Sequence, residues 1–323
     1  MDLLERPAGF AAFWEGAWQG GDLVRILVTG STGLIGSALV PFLSASGHAV
    51  IRLVRSEAPP AGAIERWDPE AGTLDRAALE GLEAVVHLAG EDISRGGWTA
   101  AKKARIRQSR VEGTALLART LASLDRPPAV LACASAIGYY GDRGDETLTE
   151  ESAPGSGFLA SVCRDWEAAA APAAEAGMRV LHLRFGVVLS AAGGALARML
   201  GPFRMGMGGP IGSGRQYVSW IAMDDVLGAI AHVLSSQTLR GPVNVASPKP
   251  VTHLEFARTL GRVLGRPTVL AVPAFGVRLM FGEMATEVLL ASQRLEPARL
   301  LSSGYEFHYP ELEATLRHLL AAG

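Results

Sequence analysis

Apolar and β-branched residues gather in short runs, and between these runs lie longer stretches in which apolar positions recur every three or four residues. The first run, Val24, Ile26, Leu27 and Val28, predicts a strand over 24–28. A helix is expected from there to about Ala45, stopped by Gly47 and His48, with a second strand over 49–54. The same pattern predicts strands over 64–67, 84–88, 129–134, 179–189 and 241–246, and a short edge strand over 269–273. Helices are predicted over 74–82, 98–124, 158–176, 220–234, 254–264 and 312–320. Strands alternating with helices specify an α/β fold with a doubly wound parallel sheet. Ahead of the first strand, Phe10, Phe13, Trp14 and Trp18 are spaced as on a helix that packs against the body, and Gly20-Gly21 breaks it.

The junction between the first strand and the first helix carries Gly30, Gly33 and Gly36. A sharp turn needs the first glycine, and close approach of a pyrophosphate needs the second. The third lets the helix lie close to the sheet. The free N–H groups and positive dipole end of the helix then face an anion. Gly30, Ser31, Thr32, Gly33, Leu34, Ile35 and Gly36 are therefore the expected dinucleotide contacts. An acid about twenty residues further on would accept the ribose hydroxyls of NAD. This chain offers Arg52 and Arg55 there, with no acid before Glu57. A guanidinium binds the 2′-phosphate of NADP that a carboxylate repels, so NADP(H) is the expected cofactor, with Arg55 the better placed cation. Leu88 ends the fourth strand, and the small residues Ala89 and Gly90 close it and admit a ribose, so all three are expected cofactor contacts. His87 within that strand reads as a core histidine.

Composition narrows the classes. Apolar residues make up 49% of the 323 and charged residues 19%, which fits a globular chain. The net charge of −2 gives no footprint for nucleic acid. Cys133 and Cys163 suit neither a disulfide framework nor a metal site, so a reducing cytoplasm is expected, and no His/Cys cluster suggests a metal. Residues 1–23 lack the apolar core of a secretory signal, and no apolar stretch approaches a membrane span, so no membrane partner is expected. The basic run Lys102, Lys103, Arg105, Arg107, Arg110 reads as a solvated helix face.

The fifth strand delivers Ser135 to the carboxyl edge of the sheet, where open α/β sheets bind ligands. The loop after it, 138–146, is polar and turn-rich, and its acids lack the spacing of a calcium loop.

These residues resemble the extended short-chain dehydrogenase/reductase superfamily: Thr29-Gly30-x-x-Gly33-x-x-Gly36, His87-Leu88-Ala89-Gly90, Ser135 with Tyr140-Gly141, and Asp224-Asp225-Val226. Several stretches are similar to its atypical epimerase-family branch. They include Leu88-Ala89-Gly90-Glu91, Gly138-Tyr139-Tyr140-Gly141, the run from Phe158 to Glu167, Gly208-Gly209-Pro210-Ile211-Gly212 and Pro297-Ala298-Arg299-Leu300. The resemblance spans about 25–320.

It implies a Rossmann domain over 25–185, completed by about 216–248, which binds NADP(H). A smaller α+β substrate domain would comprise 186–215 and 249–323, and 1–24 would be an N-terminal extension. The superfamily's Tyr-x-x-x-Lys pair is absent, since none of the five tyrosines has lysine four residues later, and its places align with Leu159 and Cys163. Ser135 remains to hydrogen-bond a carbonyl or hydroxyl, and Tyr139 or Tyr140 could supply the phenol, although an unassisted tyrosine is a poor base at neutral pH. Cys163 reads as a small buried hydrophobe. Arg204, Arg215, Gln216 and Tyr217 are the expected substrate contacts, with Arg215 suited to an anionic group.

The expected activity is an NADP(H)-dependent oxidoreductase or epimerase acting on a small polar molecule such as a nucleotide sugar. The alternative is an NADPH-binding regulator or redox sensor with little turnover, serving division-related partners. A homodimer, and a protein partner for the aromatic N-terminus, accompany these expectations.

Overall fold

The computed structural model describes residues 24–55 and 63–321, so the helix expected within 1–23 lies outside the described residues. In chain order the strands are β1 (Arg25–Thr29), β2 (Ala49–Val54), β3 (Ala63–Asp68), β4 (Thr73–Leu74), β5 (Ala84–His87), β6 (Val130–Ala136) and β7 (Thr147–Leu148). They continue with β8 (Arg179–Phe185), β9 (Val187–Ser190), β10 (Tyr217–Val218), β11 (Trp220–Ala222), β12 (Gly241–Val245), β13 (Val251–Thr252) and β14 (Arg294–Leu295). The α-helices are α1 (Leu34–Ala45), α2 (Ala100–Ala122), α3 (Phe158–Ala168), α4 (Ala171–Glu175) and α5 (Gly194–Arg204). After them come α6 (Met223–Ser235), α7 (His253–Leu264), α8 (Ala274–Phe281), α9 (Ala298–Ser302) and α10 (Leu312–Ala321).

Eight strands form one sheet in the order β12-β8-β6-β5-β1-β2-β3-β4. Every neighbouring pair is parallel except β3 with β4. The chain runs outward from β1 in both directions, through β2 on one side and β5 on the other. The crevice at the carboxyl ends of β1 and β5 is therefore the switch point where such sheets hold ligands.

Strand pleating assigns the two faces. Ile26 and Val28 of β1 enter one apolar cluster with Leu39 and Leu43 of α1 and Val226, Leu227 and Ile230 of α6. Leu27 points the other way, into a cluster with Leu117 and Leu121 of α2 and Ala173 of α4. Leucines buried this fully contribute about 1.5–3 kcal/mol each by the area they remove from water. A third cluster stands apart from the sheet, built from Leu196, Leu200 and Phe203 of α5, Phe256 and Leu260 of α7, and Leu312 and Leu316 of α10. Leu300 and Tyr305 pack with the first cluster, so the chain returns to the main sheet before α10.

Five expected elements differ. The stretch 74–82 is a hairpin end and a single 3₁₀ turn (Ala77–Leu79) instead of a helix. Leu74 pairs back on Trp67, Asp68 binds the amides of Glu70 and Ala71, and Gly81 at φ +74° ends the turn. The helix over 158–176 divides into α3 and α4, since Pro172 at the start of α4 cannot donate into a continuous helix. The strand over 179–189 breaks at Gly186, and β9 leaves the main sheet to pair with β11. A Cβ at Gly186 would sit 2.7 Å from the carbonyl oxygen of Ser219, so only glycine allows that crossing. Residues 220–222 are strand β11, with helix beginning at Met223, and the edge strand at 269–273 reduces to one bridge between Ile211 and Val272. Among the described residues, no helix is long and apolar enough to cross a membrane.

Candidate functional site

The glycine turn is built by backbone geometry. Gly30 sits at φ +65°, and a Cβ there would lie 2.7 Å from the Leu88 carbonyl group. The N–H of Gly33 closes the turn on the Gly30 carbonyl at 2.9 Å. A Cβ on Gly36 would be 2.3 Å from that same oxygen, so the first turn of α1 rests directly on the loop. Gly33 caps α1 without a side chain, which leaves the first-turn amides without a side-chain acceptor, an arrangement that suits an anion.

A buried chain of hydrogen bonds braces the opposite wall. Thr29 Oγ1 accepts the amides of Leu88 and Ala89, each at 3.1 Å, and lies 2.7 Å from His87 Nδ1. His87 Nε2 lies 2.9 Å from Thr114 Oγ1, which also accepts Trp166 Nε1–H at 2.9 Å. With two amides already given to Thr29, its hydroxyl hydrogen goes to Nδ1 and the ring donates through Nε2. Burial lowers the pKa of His87 to about 4, so the ring is neutral and acts as a brace for residues 88–90.

Between these walls lies a cavity of about 440 Å³. Of the expected cofactor contacts, Gly30, Ser31, Thr32, Gly33, Arg55, Leu88, Ala89 and Gly90 line it. Leu34, Ile35, Gly36 and Arg52 do not. Leu34 and Ile35 pack against the first apolar cluster, and Gly36 serves close approach to Gly30. Arg52 donates from Nε to Ser31 Oγ at 3.1 Å, bracing the turn from outside the cavity.

The helix α2 adds residues the pattern did not single out, chiefly Arg105, with Gln108, Ser109 and Glu112 on the same face. The solvated reading of its basic run is corrected accordingly. Lys102 is buried and pairs with Glu91 at 2.6 Å, Arg110 donates to the Glu91 carbonyl at 3.0 Å, and Arg107 pairs with Asp165. The Lys102 hydrogen bond holds the Glu91 carboxyl below its ordinary range, so that acid enters the cavity wall already neutralised by a partner.

At the end of β6, Ser135 lies in register with Arg184 on β8. Ser135 Oγ donates to Glu167 Oε1 at 2.7 Å. Arg184 grips the same carboxylate at two points, Nε to Oε1 and Nη2 to Oε2, both at 2.8 Å. Its Nη1 donates to the Tyr140 hydroxyl at 2.9 Å, which in turn donates to Asn244 Oδ1 at 2.7 Å. The guanidinium lies 3.5 Å from the centre of the Tyr139 ring. Glu167, Arg184 and Asn244 were not among the expected site residues.

The expectation for Tyr140 is corrected. It is fully buried, both hydrogen-bonding capacities of its hydroxyl are used, and burial pushes its pKa up to about 12. Tyr139 is only partly buried, so its phenol stands nearer to solvent. At the places aligned with the missing pair, Leu159 packs on Gly138, and Cys163 is buried with its thiol pushed up to about 12 by that burial.

The expected substrate contacts are spread out. Arg204 ends α5 and Arg215 follows the glycine-rich loop, both exposed. Gln216 is corrected: its buried amide donates to the carbonyls of Ile211 at 3.0 Å and Leu289 at 3.3 Å, tying two loops together. Tyr217 is held through its backbone by Ser292 at 2.9 Å, with the Arg294 guanidinium 5.0 Å from its ring centre. Glu287 supplies what α3 lacks as a cap, accepting the amides of Phe158 and Leu159 at 2.7 Å each. Lys103 reaches Glu283 at 2.8 Å beside it. The segment 283–289 is thereby clasped to the amino ends of α2 and α3, next to the Ser135 edge.

The chain is similar to known proteins over most of its length. The model described as "NAD dependent epimerase/dehydratase family" matches residues 26–246, and a domain of unknown function (DUF1731) matches 272–319. An epimerase family protein of Mycobacterium bovis is 45% identical over 284 residues, covering 88% of this chain and 93% of that protein. The human epimerase family protein SDR39U1 is 37% identical over 305 residues, covering 92% of this chain and 100% of the relative. Its crystal structure with NADPH superposes with a TM-score of 0.84 at 35% identity, over 92% of this chain and 99% of that one. A nucleoside-diphosphate sugar epimerase from Corynebacterium glutamicum gives a TM-score of 0.80 at 37% identity, over 97% of this chain and 61% of that one.

Proposed function

The chain belongs to the NAD-dependent epimerase/dehydratase family, and from that premise we propose that it is an NADP(H)-dependent oxidoreductase or epimerase. Its substrate is a small polar molecule of the nucleotide-sugar type. One observation carries the cofactor assignment. The cavity at the glycine turn joins the open amides of α1 to Arg55 and Arg105, with no carboxylate at the end of β2. A pyrophosphate suits the amides, and the two guanidinium groups suit a 2′-phosphate. The human relative was crystallised with NADPH, which supports the same choice.

NADPH supplies a hydride when bound. The protein's own part is to hold and protonate the substrate oxygen. Ser135 is the hydroxyl at the sheet edge, and Glu167, fixed by Arg184, sets its orientation. Tyr139 is the remaining phenol within that edge. Residues 25–185 with 216–248 form the nucleotide half in this proposal, and 186–215 with 249–323 form the half that closes over substrate through Glu287 and Lys103. Arg204 and Arg215 are its free cations for an anionic substrate group. The protein works in the cytoplasm.

The experiment follows absorbance of reduced nicotinamide while nucleotide sugars and their keto forms are offered to wild type, Ser135→Ala and Tyr139→Phe. Turnover in wild type that falls in Ser135→Ala supports the catalytic assignment. A second reading, an NADPH-binding regulator with little turnover, is favoured by one observation: the hydroxyl hydrogen of Ser135 already goes to Glu167. Tight NADPH binding with no consumption across the panel selects it.

A further inference from the structure

Exposed apolar residues are not scattered over the molecule. Of the eleven large apolar side chains exposed among the described residues, all but Leu301 lie in 205–207 and 269–288. Leu279 is 86% exposed, Val269 81%, Phe275 74% and Met280 73%. Packing holds these segments side by side. Gly206 backs onto Pro267, Gly209 onto the Leu270 carbonyl, and Val272 exchanges backbone hydrogen bonds with Pro210 and Gly212. α8 starts from that junction. Monomeric proteins rarely concentrate so many exposed large apolar side chains in adjoining segments without a use for them.

Positive charge predominates around this surface. From 194 to 290, leaving out 216–248, eight Arg and Lys face three Glu on a chain whose net charge is −2. All three acids are engaged: Glu255 caps its own helix, Glu283 pairs with Lys103, and Glu287 holds the amino end of α3. Arg258, Arg266 and Arg278 make no ion pair among the described residues. Arg258 and Arg266 line a shallow hollow of about 390 Å³ with Arg262, immediately before Val269 and Leu270 in the chain. Arg262 is the one of the three with an acid, Glu313, at 3.1 Å.

We propose that this face docks on an anionic lipid bilayer. Met, Leu, Val and Phe on loop tips and a two-turn helix suit shallow insertion at the headgroup boundary, and surrounding arginines suit lipid phosphates. A second copy of the chain is the poorer occupant, because a two-fold contact would set arginines against arginines. Such a surface is invisible to a search for spanning segments, since it is assembled from two short stretches.

The test is co-sedimentation of the full chain with phosphatidylcholine vesicles, with and without added phosphatidylglycerol. NADPH affinity serves as the check on folding, because the patch lies outside the glycine-turn cavity. Wild type should bind the anionic vesicles, and do so less tightly as salt rises. Leu279→Glu with Met280→Glu should abolish binding, and Arg258→Gln with Arg266→Gln should weaken it roughly thirtyfold, with NADPH binding unchanged in both. Wild type that ignores anionic vesicles, or variants that bind as wild type does, would overturn the proposal. So would a dimer, seen by light scattering, that dissociates in the glutamate variant while wild type shows no lipid affinity.

Discussion

Arg184 and Glu167 meet at two points, 2.8 Å each, and the carboxylate so held receives the hydroxyl hydrogen of Ser135. The pair is nearly dry, with the side chain of Arg184 3% exposed and that of Glu167 13%. Removing one partner leaves a charge without compensation in a poor solvent. Arg184→Met should therefore lower the unfolding free energy by about 3 kcal/mol or more. Arg184→Lys should fall between, since an ammonium keeps the charge and loses the two-point geometry. Denaturant unfolding checks both, and an Arg184→Met protein as stable as wild type would contradict the pairing.

His87 makes stability depend on acid. Burial lowers its pKa from 6.5 to about 4, so the folded protein resists a proton that the unfolded chain accepts. Its contribution is complete above pH 6.5, declines as pH falls, and is lost by about pH 4. The shift amounts to about 3 kcal/mol across that window. Denaturation midpoints measured from pH 7 to pH 4 should fall more steeply in wild type than in His87→Gln. Equal slopes would mean the ring is not the buried neutral group described above.

Both cysteines should be silent in the native protein. Cys133 and Cys163 are buried, and burial pushes each thiol up to about 12. A thiol reagent at neutral pH should find no reactive group until denaturant is added, and then two per chain. Rapid native labelling of Cys163 would restore it as a chemical participant.

The sequence made the first half of the site readable because backbone sterics there admit only glycine. Gly30 and Gly36 each face a carbonyl that a Cβ would strike. Arg55 was readable because it ends a strand whose position follows from its apolar run. Arg105 was not, because a basic run on a helix carries no mark of which residue faces the sheet edge. Glu167 and Arg184 lie 17 positions apart on a helix and a strand, and they meet only because β8 pairs with β6 and sets Arg184 beside Ser135. The helix expected over 74–82 failed for a local reason: Asp68 and Gly72 turn the chain so that Leu74 pairs back on Trp67, which takes the first residue of the apolar pattern into a hairpin. Tyr140 looked like chemistry because its burial is fixed by Arg184 and Asn244, both remote in sequence.

The central claim is that Arg55 and Arg105 read a 2′-phosphate at the glycine-turn cavity. Calorimetric affinities for NADPH and NADH in wild type, Arg55→Ala and Arg105→Ala test it most directly. Losing one charge-assisted contact should weaken NADPH by about 1.5–3 kcal/mol, roughly ten- to a hundredfold, and leave NADH nearly unchanged. Equal losses for both nucleotides, or none for either, would contradict it.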